Sequence, residues 1–295
     1  MNVLKKWYTY QKERFPVLAL GTYILSIVIA VFFYANKCCN EVINYMQILP
    51  MFVVSFLHFL MVRIVDEFKD YEEDCKYRPY RPVPRGLVTL KELRVLFIIC
   101  FIIQITTMCV CSKTGILYSI LAWLGLWLFF GLMTKSYFIK KYLEKHIVLE
   151  VVLDELMMPI MMICISTLTN MPEIMQLVPL LILGYCASAI IEVARKIRSK
   201  KDEENGVKTY TAVLGIPKAI LLLQTFETFF VGTQIYIAHK FNNSKLIIVQ
   251  GVLYVALTIF NMLFVKKQTK KYAKIAELMA NLGIIITYIS MIFIK

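Results

Sequence analysis

Long apolar runs, broken by short basic segments, set the pattern of the chain. A run of about 20 apolar residues spans the hydrocarbon core of a bilayer as a helix. By that measure the pattern predicts about nine spans. They cover roughly residues 15–34, 43–65, 93–111, 115–133, 147–167, 175–191, 219–237, 246–265 and 276–294. The predicted fold class is all-α: a polytopic helical membrane bundle, in one domain over 1–295. Composition agrees, since 59% of the residues are hydrophobic against about 45–50% in a soluble domain. The first residues, MNVLKKWYTYQKERF, are polar and basic without an apolar core, so no cleavable signal peptide is expected.

The net charge of +13 would fit a nucleic-acid binder, but its placement explains it better. Lys5, Lys6, Lys12 and Arg14 precede the first span. Further clusters follow spans two, four, six and eight, while the alternate loops hold little beyond Lys37, Lys113, Lys240 and Lys245. The positive-inside rule then places the N-terminus and the long polar loops in the cytoplasm. A nucleic-acid partner gains no further support. Most cysteines sit in or beside apolar runs, and the spacing gives no paired CxxC, so a zinc site is not expected.

The densest chemistry lies in DEFKDYEEDCKYRPYRPVPRG, residues 66–86, at the end of the second span. At about 100° per residue, Asp66, Asp70 and Asp74 drift slowly around one helix face with Glu67 at its edge. Such hard oxygens suit Mg²⁺, which is often shared between carboxylates and phosphates. Arg78, Arg81 and Arg85 follow among Pro79, Pro82 and Pro84, which stiffen the return loop.

These residues resemble the UbiA-type intramembrane prenyltransferases. That family carries Asn-Asp-x-x-Asp-x-x-x-Asp at the end of its second span, followed by an Arg-Pro loop. Here the motif reads Asp66-Glu67-x-x-Asp70-x-x-x-Asp74, and the loop Arg78-Pro-Tyr-Arg81-Pro82-Val-Pro84-Arg85-Gly86 matches closely. The family's second motif, Asp-x-x-x-Asp at the end of span six, corresponds to Glu192-Val-Ala-Arg195-Lys196. Glu192 stands for the first acid, and Lys196 replaces the second. Three readings stay open. Lys196 with Arg195 is a fixed cation where a second Mg²⁺ would sit; an inserted turn lets Asp202 supply the missing acid; or the chain is a non-catalytic lipid-binding relative. The stretch from Gly206 to Gly215 resembles the family's approach to span seven. Tyr137, Lys140 and Lys141, after span four, resemble the family's diphosphate-contacting loop.

The resemblance implies nine helices around a central cavity, capped by the loops after spans two and six. It implies Mg²⁺ on Asp66, Glu67, Asp70, Asp74, Glu192 and Asp202. It implies diphosphate contacts from Arg78, Arg81, Arg85, Tyr137, Lys140, Lys141 and Arg195. A prenyl diphosphate ionises there, and a small acceptor attacks the allylic cation. The same machinery would serve a membrane terpene synthase. A divalent-cation or solute transporter is a different class, but its site would lie near mid-membrane. Only Asp154 and Glu155 are acids expected at depth; they could serve an acceptor or pair with Arg63. Asn261, Gln104 and Gln224 read as interhelical contacts, as does His58.

Overall fold

Eight helices among the described residues are long and apolar enough to cross a membrane, and the chain is an integral membrane protein. The computed structural model describes residues 2–143, 145–203 and 208–294. A helix α1 (Val3–Arg14) leads into α2 (Val17–Cys39) and α3 (Ile48–Lys69). A short α4 (Tyr71–Tyr77) follows, then α5 (Leu90–Val110) and α6 (Ile116–Thr134). Next come α7 (Lys140–Leu143), α8 (Ile147–Asp154), α9 (Met157–Ser166) and α10 (Ile174–Arg195). The chain ends with α11 (Tyr210–Leu214), α12 (Ile216–Lys240), α13 (Ser244–Lys267) and α14 (Lys270–Ser290).

Most spans run a few residues past the limits of their apolar runs, because polar residues at a bundle end can continue a helix into the headgroup zone. The fifth span differs in kind. It is split into α8 and α9 at Glu155–Leu156. Pro159 lacks the N–H that would reach back to Glu155, so the ladder opens there. The two acids thus stand at a break and not in a continuous span.

The core centres on α10. Its face of Gly184, Cys186, Ala187, Ser188 and Ala189 is small, which lets neighbouring backbones approach. A Cβ on Gly184 would collide with the Met162 side chain. A second, smaller cluster joins Tyr10, Ile64, Val83, Val88 and Leu93. It seats α1 and the Arg-Pro loop against the end of α3. Within that loop Gly86 takes φ +74°, a left-handed turn that glycine adopts without steric cost. Thr89 and Glu92 then form a capping box that starts α5.

Candidate functional site

The first acidic mouth is built from α3, α4 and the Arg-Pro loop. Asp66 and Glu67 lie in the last turn of α3, and Asp74 lies on α4. Asp70 is the joint, with φ −96° and ψ 4°. One continuous helix face was expected; the joint interrupts it, and the four acids fall into two environments. Glu67 and Asp74 are each only 2% exposed. Glu67 accepts from Arg14 Nε, which comes from α1. Asp74 holds a guanidinium on each oxygen, Arg78 at 3.4 Å and Arg81 at 2.5 Å. Removing one partner of a buried pair typically costs about 3–5 kcal/mol. Asp66 and Asp70 are half-buried. Asp66 meets Arg63 at 3.5 Å, in a pair more than a third exposed on both sides, so it is held weakly. Arg63 is thereby directed to Asp66 and not to Asp154. Asp70 has no side-chain partner among the described residues.

Sequence reading treated the N-terminal segment only as a topology signal and missed its part in this mouth. Besides Arg14 on Glu67, Glu13 binds Arg85 at 2.9 Å and Lys6 binds Glu92 at 2.5 Å. Arg85 also donates to the Tyr80 carbonyl at 2.8 Å. The helix α1 therefore straps the acidic turn to the Arg-Pro loop.

The second mouth is local. Glu192 lies in the last turn of α10, with Arg195 following and Lys196 as the C-cap. Arg195 donates to Glu192 Oε2 from Nε at 2.8 Å and from Nη2 at 2.5 Å. Lys196 Nζ meets Oε1 at 2.5 Å. Both oxygens are taken. Lys196 also sits 5.9 Å over the Tyr210 ring. Asp202 turns elsewhere: it accepts from Ser199 Oγ at 2.5 Å and meets Lys270 at 3.5 Å. The Ser199 hydroxyl holds its carboxyl below the usual range. No contact joins Asp202 to Glu192 among the described residues. Glu203 instead binds Thr209 and Thr211, both at 2.7 Å. Glu204 and Gly206 lie outside the described residues.

The break between α8 and α9 lies on the side of the second mouth, where α8 packs on α10. Asp154 lies within electrostatic reach of Lys69 on one side and Glu192 on the other. Glu155 is near Glu192, Arg195 and Ser188. Tyr137 donates its hydroxyl to Asp154 at 3.0 Å. Burial, and then the Asp154 carboxylate, push the Tyr137 phenol up, so it stays a proton donor. It is delivered by an unusual turn: Ser136, Tyr137 and Phe138 all have positive φ, at 49°, 53° and 60°. Left-handed backbone costs non-glycine residues about 1–2 kcal/mol each. Lys140 and Lys141 lie nearby in sequence on α7, exposed.

At depth, Gln104 makes the interhelical contacts expected of it, accepting from Trp123 at 2.8 Å and donating to the Val54 carbonyl at 2.9 Å. Asn261 donates to Gln224 at 3.0 Å and to Glu227 at 2.7 Å. Glu227, fully buried, was missed in the sequence although an acid inside an apolar run is itself a signal. His58 departs from expectation. It packs among Trp127 and Phe130, at 5.3 and 6.0 Å, and neither ring nitrogen has a hydrogen-bond partner among the described residues.

The model of the UbiA prenyltransferase family matches residues 23–283. The chain belongs to the UbiA prenyltransferase family. Two solved structures share the UbiA fold over nearly the whole chain. One comes from work on digeranylgeranylglyceryl phosphate synthase in membranes, with TM-score 0.63 and 18% identity, covering 97% of this chain and 99% of that one. The other is an apo UbiA homologue from Aeropyrum pernix K1, with TM-score 0.63 and 11% identity, covering 90% and 97%. A search of curated proteins finds no match.

UbiA prenyltransferases generally use Mg²⁺. Among the described residues, no three His, Cys, Asp or Glu side chains group as metal ligands would. Asp66 and Asp70 nevertheless suit one ion, because Mg²⁺ binds through one or two carboxylates together with phosphate oxygens and water. Glu67, Asp74 and Glu192 offer less, since the chain's own cations already engage them.

Proposed function

We propose that this protein is a prenyltransferase that ionises a prenyl diphosphate at the cytoplasmic mouth of the bundle and transfers the prenyl group to a small acceptor. The observation that carries this reading is the pairing of Asp74 with Arg78 and Arg81, on a UbiA fold, beside the less encumbered Asp66 and Asp70. The buried carboxylate fixes the direction of both guanidinium forks. Their remaining N–H groups are left for an anion at the mouth.

The diphosphate head binds Arg78, Arg81 and Arg85, with Lys140, Lys141, Arg195 and the Tyr137 hydroxyl completing its surroundings. Asp66 and Asp70 would hold Mg²⁺, which when bound offsets the charge of the leaving group. The C–O bond breaks, and its electron pair leaves with the diphosphate. The guanidinium groups stabilise that growing charge, the kind of contribution that dominates such steps. A nucleophilic atom of the acceptor bonds to the allylic carbon. The proton it releases passes to Asp154 or Glu155, the carboxylates at the broken span. Enclosure within the bundle limits capture of the cation by water.

The test is incubation of the purified protein, in nanodiscs, with a panel of prenyl diphosphates and phenolic or alcohol acceptors. Diphosphate release accompanied by a prenylated acceptor in the mass spectrum is the expected result. A cyclised hydrocarbon in its place would favour the membrane terpene synthase reading. Absence of diphosphate release across the panel, with uptake of Mn²⁺ into liposomes, would favour a transporter.

A further inference from the structure

At both mouths the chain's own cations already engage most of the acids. Around Asp66, Glu67, Asp70, Asp74 and Glu192 stand Arg14, Arg63, Arg78, Arg81, Arg195 and Lys196, each in an ion pair with one of those acids. Asp154 and Glu155 at the broken span add further negative charge, so the sum does not decide the matter. The distribution matters more than the sum. Both oxygens of Asp74 and both oxygens of Glu192 already face cations at 2.5–3.4 Å. Glu67 is buried on Arg14. A divalent ion at any of these three would have to displace a guanidinium or an ammonium that has little room to retreat. Among the described residues Asp66 is ion-paired only with the half-exposed Arg63, with Lys69 and Arg14 acting at longer range, and Asp70 has no side-chain partner.

We infer that this site works with a single divalent ion on Asp66 and Asp70, and that Lys196 and Arg195 serve at the second mouth as a built-in substitute for a second ion. The inference rests on the prenyl diphosphate reading above and concerns how the same site is charged. A fixed ammonium has consequences that a metal does not. It cannot be chelated, so the second mouth keeps its attraction for phosphate oxygens when free Mg²⁺ falls. It carries one charge where Mg²⁺ carries two, and Glu192 is the acid it pairs with. Tyr210 under Lys196 limits the swing of the ammonium and keeps it over Glu192.

Mn²⁺, counted by electron paramagnetic resonance, reports the number of ions directly and does not depend on turnover. The full-length protein in nanodiscs is titrated with Mn²⁺ in the presence of farnesyl thiolodiphosphate, an analogue that does not ionise readily, and analogue binding is followed separately by isothermal titration. The expected result is one tightly held Mn²⁺ per chain with the analogue bound, and a second in Lys196→Asp. Lys196→Arg, which keeps the charge, should stay at one. Two ions in the unaltered protein would overturn the inference and leave the prenyl diphosphate reading standing. An unchanged count in a folded Lys196→Asp would also overturn it. Failure of the analogue to bind at all, with or without Mn²⁺, would remove the prenyl diphosphate reading and the inference with it.

Discussion

The two acidic mouths do the same kind of charge pairing by opposite means. At the first, Glu67 is held by Arg14 from 53 residues earlier, and Asp74 is closed over by a proline-stiffened loop. At the second, Glu192 is held by residues three and four positions on. The first is a tertiary construction with acids at 2% exposure; the second is a helix end whose Arg195 side chain is 55% exposed. Buried pairs depend on every partner, whereas exposed local pairs contribute little. The first mouth should therefore be where stability and activity fail together. The second should be where charge can be altered with the fold intact.

Arg81→Ala tests the contrast at its strongest. It leaves Asp74 buried with only the longer Arg78 contact, so the expected loss is about 3–5 kcal/mol of stability, together with loss of diphosphate release. Thermal unfolding in detergent, read beside a release assay, measures both. Arg14→Ala should come next. It strips Glu67 of its cation and loosens α1, with an expected cost of about 3 kcal/mol because one buried charge is left to find water. A melting temperature equal to that of the unaltered protein would show that α1 is not a strap. Lys196→Ala should cost no more than about 1 kcal/mol, since Arg195 still covers Glu192, while weakening diphosphate binding measurably in titration. If Lys196→Ala unfolds the protein as readily as Arg81→Ala, the two mouths are not different in kind. Tyr137→Phe should be the smallest change in stability, about 1 kcal/mol for one hydrogen bond. Its interest lies in rate, because the change removes the hydrogen bond from Tyr137 to Asp154 without altering the ring.

The bundle was legible in the sequence because a bilayer demands long apolar runs. The Arg-Pro loop was legible because proline, arginine and acid occur there in order. What escaped reading has physical reasons. Arg14 lies so far from Glu67 in sequence that its partner is set by packing around Tyr10, Ile64 and Val83, and a basic N-terminal residue looks like any topology signal. The joint at Asp70 is invisible to a regular helical wheel. The break beside Asp154 and Glu155 carried one sequence mark, Pro159 four residues beyond Glu155, but the apolar run hides it. Lys196 illustrates the reverse. Its place one turn from Glu192 was readable from spacing alone, and the ion pair at 2.5 Å follows from that spacing.

The central claim is that the half-exposed acids of the first mouth serve the diphosphate, while the buried ones serve the fold. Asp70→Asn separates these roles most directly, because Asp70 has no side-chain partner to lose among the described residues. Diphosphate release from a prenyl diphosphate should fall by about 100-fold or more, with an unchanged melting temperature. Release at the full rate from a folded Asp70→Asn protein would contradict the account.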